Sequence, residues 1–384
     1  MRGNGLAGRG GLWHSGDMSE NKGIDECRVS ADAETEPPPR AFELPPLERG
    51  ATVLVTGATG FTGSVLLRKL CAVPGLKVRA LARPSSDLKG LEGLPVEGVR
   101  GQVYDEEAVG KGMAGAQYVF HVAAAFRSPG IGEEEYRRVH AVSTRLIAEA
   151  ALRQPAFRRM VHVSTVGVHG HIENPPADET APFAPGDLYQ TTKAEAETWL
   201  HGFAGERGLP YAVVRPAAIY GPGDRRLLKV FKMAAAPVFP MLGHGKCLYH
   251  LIHVDDLTDG FLLAAVHPAA QGEAFICGNE VATPLERMGR IIADELGKKL
   301  RPVRIPAWPF FWAAGLCEAV CKPLKIAPPL YKRRVAFFTK DRSFDTRKIR
   351  GRLGFACRWS EEEGLRATAR WYVRHGWLKG GVGK

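Results

Sequence analysis

The stretch Ala51-Thr52-Val53-Leu54-Val55-Thr56-Gly57-Ala58-Thr59-Gly60-Phe61-Thr62-Gly63 decides the fold. Its first six residues form a short apolar, β-branched run, the pattern of a strand buried on both faces of a parallel sheet. Three glycines at spacings of three follow, and an apolar helical pattern runs from Phe61 to Cys71. In a strand–turn–helix context, Gly57 permits the tight turn, Gly60 lets the main chain approach a pyrophosphate, and Gly63 lets helix and strand pack closely. The free N–H groups at the helix start then offer a partial positive charge to phosphate.

The pattern continues beyond this unit. Strands are expected at Lys77–Arg83, Val99–Gly101, Ala116–Val122, Arg159–Ser164 and Tyr211–Arg215, with helices at Glu133–Leu152 and Leu188–Arg207. Strands alternating with helices imply crossover connections, hence an α/β, Rossmann-type, doubly wound parallel sheet. After Pro216, glycine and proline become frequent, and helices are expected at Val254–Val266, Pro284–Leu296, Asp345–Leu353 and Glu361–His375. The division expected is a disordered tail at 1–49, a dinucleotide-binding domain at 50–216 and a smaller substrate-binding lobe at 217–378. That lobe is partly interleaved with the sheet, and a short tail at 379–384 follows it.

Composition narrows the partners. The 384 residues carry a net charge of +11, which favours anionic partners in general. No zinc-finger spacing, RNP-like motif or basic-aromatic sheet pattern accompanies it, so nucleic acid is not expected. The seven cysteines show no CxxC pair, which fits reduced thiols in a cytoplasmic protein. His169-Gly170-His171 has no further ligands nearby in sequence and reads as loop, so no metal is expected.

The end of the second strand bears on cofactor choice. NAD sites place an acidic residue there to bond the ribose hydroxyls. Here Ala82 holds that position and Arg83 follows, a guanidinium suited to a 2′-phosphate, so NADP is favoured over NAD. Gln102 and Val103 follow the third strand, where the adenine edge lies.

Tyr189 and Lys193 stand four residues apart at the start of the helix after the fifth strand, on one helix face. A free phenol titrates near pH ~10 and is a weak base at neutrality. A neighbouring ammonium favours the phenolate, so Tyr189 can exchange a proton with a substrate oxygen. Lys193 can also hold ribose hydroxyls. Ser164 and Thr165 end the fifth strand, at the carboxyl edge where open α/β sheets bind ligands. Thr165 is the first choice to bond the substrate oxygen and Ser164 the second; either can instead satisfy main-chain groups at a strand end.

These segments resemble the extended short-chain dehydrogenase/reductase family, within the NAD-dependent epimerase/dehydratase superfamily, over about residues 51–378. The resemblance rests on Thr56–Gly63, Phe120-His121-Val122-Ala123-Ala124, Ser164-Thr165, Tyr189 with Lys193, Arg215–Asp224 and His253–Asp256. The run Tyr220–Arg226 and the ending Ser360–Gly364 with Trp371-Tyr372 look most like the 3β-hydroxysteroid dehydrogenase group. The resemblance implies Thr165, Tyr189 and Lys193 as the catalytic set. It also implies cofactor contacts from Gly57, Thr59, Gly60, Phe61, Thr62, Gly63, Val122, Ala123, Ala124, Ser164, Pro216 and Ile219. Two positions depart from the family pattern. His140 stands where a relay Asn is frequent, and an imidazole can substitute for it. Gln102 stands where an adenine-binding Asp is common, and its amide oxygen can accept the same bond.

The most apolar stretch, Pro306–Cys321, is too short to span a bilayer, which takes about 20 apolar residues. Basic residues surround it. A helix lying in a membrane interface, a lid over the substrate site and a subunit contact in a homodimer all fit it. The expected activity is interconversion of a secondary alcohol and a ketone on a hydrophobic small molecule, sterol-like or acyl-chain-like. A nucleotide-sugar epimerase or dehydratase with tightly bound NAD, and a non-catalytic NADP-sensing regulator, are the other readings. The expected location is the cytoplasm, with peripheral membrane contact through 306–321.

Overall fold

A computed structural model describes residues 38–39, 42, 44–125, 132–321, 335 and 339–379. Seven parallel strands form the central sheet: β1 (Thr52–Thr56), β2 (Lys77–Ala82), β3 (Val96–Arg100), β4 (Tyr118–His121), β5 (Arg159–Val163), β6 (Tyr211–Pro216) and β11 (Ala274–Cys277). Their order is β11-β6-β5-β4-β1-β2-β3. The chain thus winds outward from β1 in one direction and from β4 in the other. The β1/β4 junction is the topological switch point, where such sheets bind their ligand.

Alternate residues of each strand face opposite layers. Val53 and Val55 join Leu66, Leu67 and Leu70 of α1 (Phe61–Cys71) and Leu257 and Phe261 of α7 (Val254–Val266). Leu54, Val119 and Met160 point the other way. They meet Val109 and Met113 of α2 (Glu106–Met113), Ile147 and Ala148 of α4 (Ser143–Leu152), and Leu200 and Ala204 of α5 (Leu188–Arg207). Burial on both faces explains why these strands read as apolar runs rather than as alternating ones.

Between Glu133 and Leu152 the chain is helical, as expected, but not uniformly so. α3 (Glu133–Arg137) passes into α4 through a π-helical turn at Arg138–Val142. Such turns are frequent at functional sites, and this one carries His140.

The second half has its own core. β7 (Ala218–Tyr220), α6 (Leu228–Ala235), β8 (Phe239–Leu242), β9 (Leu248–Tyr249), α8 (Leu285–Glu295) and the helix Glu361–Arg374 bring together Tyr220, Phe231, Phe239, Tyr249, Met288 and Tyr372. β10 (Leu251–His253) pairs with β7. Between these elements, α7 and β11 return to the central sheet, and β11 pairs with β6.

Several elements went unread in the sequence, among them α2, α6 and β11. The start of the fold also needs correcting. Leu47 is buried, and Phe42 and Leu44 pack against the same core, because their side chains cover the apolar surface beside β1. The basic residues Lys322, Lys325, Lys332, Arg333 and Arg334 lie outside the described residues.

The glycine turn has little room for change. Gly57 has φ +70°, and a Cβ on it would stand 2.8 Å from the Ala123 main chain. A Cβ on Gly63 would stand 2.1 Å from the Gly57 carbonyl oxygen. Gly63→Ala is therefore expected to force α1 off the turn and lower stability by about 1–3 kcal/mol in urea unfolding. A change within a few tenths would show that the turn tolerates the displacement.

Candidate active site

With every central strand parallel, the carboxyl ends lie along one edge, and the sequence-derived site residues collect there. Gly57, Thr59 and Gly60 follow β1; Arg83 follows β2; Gln102 and Val103 follow β3; Val122, Ala123 and Ala124 follow β4; Ser164 and Thr165 follow β5. Pro216 ends β6, and Ile219 lies in β7. The Val103 side chain is buried in the core, which leaves its main chain for a ligand.

The start of α1 differs from its neighbours. Asp105 caps α2 by accepting from the main-chain N–H of Glu107 and Ala108, and Asp187 caps α5 by accepting from Gln190. α1 starts at Gly60 with no side-chain cap and no acidic residue in its first turn. Its leading N–H groups are thus left for an external anion, and a diphosphate is the natural one. Thr59 Oγ1 reaches Ser86 Oγ at 3.4 Å, joining the turns after β1 and β2. Arg100 donates to the main-chain oxygens of Arg83 and Ser86 at 3.0 and 3.1 Å, so the loop carrying the exposed Arg83 is braced from β3.

Lys193 is 1% exposed. Its ammonium donates to the Val163 carbonyl at the end of β5 at 2.8 Å. Burial lowers its pKa to about 8, against the opposing pull of Glu197 one turn further along α5. An ammonium has three donors, and Nζ has no second hydrogen-bond acceptor among the described residues. Two donors therefore remain on a buried group one helical turn from Tyr189, which suits the paired hydroxyls of a ribose. Together with the uncapped start of α1 and the Gly57–Ala123 approach, this arrangement fits a dinucleotide.

The two hydroxyls after β5 have different partners. Ser164 is 3% exposed and donates to Glu197 Oε2 at 2.5 Å. Glu197 also takes the Arg215 guanidinium through Nε at 2.8 Å and Nη2 at 2.6 Å. Arg215 reaches His169 Nε2 at 3.2 Å. Ser164 is thus the residue with the structural role, its proton committed to a buried carboxylate. Thr165 Oγ1 accepts from Gly167 N–H at 3.1 Å, and its own proton meets no acceptor among the described residues. Of these two hydroxyls, Thr165 is the one whose proton remains uncommitted.

His140, whose role the sequence leaves open, has two hydrogen-bond partners. It is fully buried; Nε2 accepts from Ala125 N–H at 3.1 Å, and Nδ1 lies 2.8 Å from Thr192 Oγ1. With Nε2 accepting, Nδ1 carries the proton, and both ring nitrogens are engaged. The ring meets Tyr189 edge-on, with centroids 5.4 Å apart. Burial, with Lys193 nearby, lowers the His140 pKa to about 2, so the ring stays neutral. It ties the chain after β4 to the start of α5.

A second imidazole extends this scaffold. Ser143 Oγ donates to the Val139 carbonyl at 2.5 Å, so it accepts from His121 Nε2–H at 3.0 Å. His121 Nδ1 then accepts from Thr56 Oγ1 at 2.9 Å, and that oxygen accepts from Ala123 N–H at 3.2 Å. The chain of bonds links the glycine turn, β4 and the π-helical turn.

The chain has relatives among known proteins. The sequence pattern described as the NAD dependent epimerase/dehydratase family matches residues 53–278. The chain belongs to that family. Sterol demethylase protein B of Methylococcus capsulatus is 39% identical over 180 residues, 46% of this chain and about half, 53%, of that relative. A 4-hydroxy-2-methyl-3-oxo-4-farnesyl-3,4-dihydroquinoline-1-oxide ketoreductase of Stigmatella aurantiaca is 30% identical across 82% of this chain and 94% of its own length. The 3beta-hydroxysteroid-dehydrogenase/decarboxylase isoform 2 of Arabidopsis thaliana is 31% identical across 82% of this chain and 61% of its own. Among solved structures, UDP-glucose 4-epimerase of Thermotoga maritima shares the fold with a TM-score of 0.68 at 23% identity, over 84% of this chain and 99% of that one.

Replacing His140 with Leu leaves the buried Ala125 N–H without its acceptor. His140→Leu is expected to lower stability by about 1–3 kcal/mol, read from the denaturant midpoint. An unchanged midpoint would show that the ring does not hold the two segments together.

Proposed function

We propose that this protein is a nicotinamide-dependent oxidoreductase, NADP-preferring, that interconverts a secondary alcohol and a ketone on a hydrophobic substrate. The observation that carries this reading is the trio at the end of β5. Lys193 is buried against the Val163 carbonyl, Tyr189 stands one turn before it, and Thr165 keeps its hydroxyl proton. Relatives named for ketone reduction and for sterol or steroid chemistry support an apolar substrate over a sugar nucleotide. The absence of an acid at the end of β2, with Arg83 following, supports NADP.

The cofactor, when bound, supplies or accepts the hydride at the carbonyl carbon. Gly57, Gly60 and the start of α1 would hold its diphosphate, Lys193 its ribose hydroxyls and Arg83 its 2′-phosphate. In the direction of reduction, Thr165 donates a hydrogen bond to the substrate oxygen and orients the carbonyl. Tyr189 gives its phenolic proton to that oxygen, completing the alcohol. The phenolate left behind is stabilised by the Lys193 ammonium and regains its proton from solvent.

The reaction is tested by NADPH oxidation against ketosteroids, β-keto acids and nucleotide sugars, with NADH in parallel. Turnover is expected with the apolar ketones and faster with NADPH; turnover with nucleotide sugars alone would reverse the reading. Tyr189→Phe should lower kcat by about 10²–10⁴ while dinucleotide binding persists. A further expectation concerns pH. Lys193 is charged below about 8 and loses its proton above it. Its support for the phenolate disappears with that proton, so kcat/KM for reduction should fall as pH rises through about 8. A profile flat to pH 10 would count against Lys193 in this role.

A further inference from the structure

Helix α9 (Trp308–Cys321) has two unlike faces. Ala314 is buried, and Phe310, Cys317 and Cys321 are half-buried, marking the face turned to the protein. On the other face Trp308 is 68% exposed, Trp312 77%, Leu316 69% and Val320 53%. At four-residue spacing these side chains form a stripe spanning an arc of roughly 120°. Four large apolar groups in a row are more than the scattered exposure usual on a protein surface. The stripe faces away from the protein, so in this arrangement it does not close over the carboxyl edge of the sheet as a lid.

The surroundings indicate which surface covers it. The strand Pro302–Ile305 ends shortly before the helix, and Lys299 and Arg301 are exposed beside it in sequence, as is Arg304, which pairs with Glu286 at 3.4 Å. α9 itself carries a single charged residue, Glu318, which is half-buried rather than on the stripe. The chain as a whole is at +11. Two such cationic rims would repel across a contact between copies, whereas an anionic surface complements them. Indole rings prefer the boundary between hydrocarbon and water, and a flat amphipathic helix with a cationic border is the arrangement that lies in that boundary. No helix among the described residues is long and apolar enough to cross a membrane. At 14 residues α9 is about 21 Å long, against a hydrocarbon core of about 30 Å.

We propose that α9 docks this protein flat on a bilayer that carries anionic lipid. Trp308, Trp312, Leu316 and Val320 enter the headgroup region, while Lys299 and Arg301 meet lipid phosphates. The site that binds the dinucleotide stays in the aqueous phase.

The test is flotation of the full chain with vesicles of phosphatidylcholine alone and of phosphatidylcholine with 30 mol % phosphatidylserine, roughly a strongly anionic cytoplasmic leaflet. Flotation is expected with the anionic vesicles, falling several-fold when salt is raised from about 0.1 to 0.5 M. Replacing both indoles, Trp308→Ser with Trp312→Ser, should lower the bound fraction at least tenfold without changing dinucleotide binding. Leu316→Ser is the second variant if that pair fails to fold. Brominated lipid should quench the native tryptophan fluorescence, a readout that needs no substitution. Absence of flotation and quenching with either lipid would overturn the proposal, as would equal flotation of native and substituted chains. Conversion of a dimer to a monomer by Trp312→Ser, without any lipid binding, would overturn it in favour of a contact between copies.

Discussion

The site depends on one buried ammonium. Lys193 has been taken out of water, and its charge is met by the Val163 carbonyl and by the field of Glu197. Desolvation alone would drive such a group to neutrality, and a nearby anion opposes that drift. Glu197 in turn would be costly to bury were it not held by Arg215 and Ser164. Lys193 thus stands one turn before a carboxylate that Arg215 holds in place, Arg215 reaches the His169 ring, and α5 presents both Lys193 and Glu197 on one face.

Neutral imidazoles surround this chain. His121, His140 and His162 are fully buried, and burial together with the Lys193 charge lowers the proton affinity of each. A second cation beside Lys193 would repel it, so neutrality of these rings is what allows them to be there. His121 and His140 act as connectors between the glycine turn, the chain after β4 and the start of α5. His162 is different: neither ring nitrogen has a hydrogen-bond partner among the described residues, and its ring lies 5.5 Å from that of His121.

The π-helical turn belongs to the same construction. A regular helix through Arg138–Val142 would rotate everything beyond it by a different amount. The wider turn places the His140 ring against Tyr189, and its Val139 carbonyl accepts from Ser143. The helix was legible from residue 133 to 152 because apolar spacing survives one extra residue per turn. The irregularity within it was not, because nothing in the pattern marks where the register changes.

The sequence by itself determined the winding of the sheet, the glycine turn and the Tyr189–Lys193 pair, because each is a local rule: strand burial, close main-chain approach and helix spacing. It left Thr165 and Ser164 as first and second choices, and it left the role of His140 open. Glu197 was within reach, since it repeats the spacing of Tyr189 and Lys193 one turn on; His121 and Arg215 stood only as members of the family's motifs, and Ser143 had no signal. Only the tertiary structure decided which partners these residues meet. Which hydroxyl keeps its proton, and which imidazole is fully engaged, depends on partners brought together from distant segments. Local sequence does not encode what a buried polar atom will find opposite it.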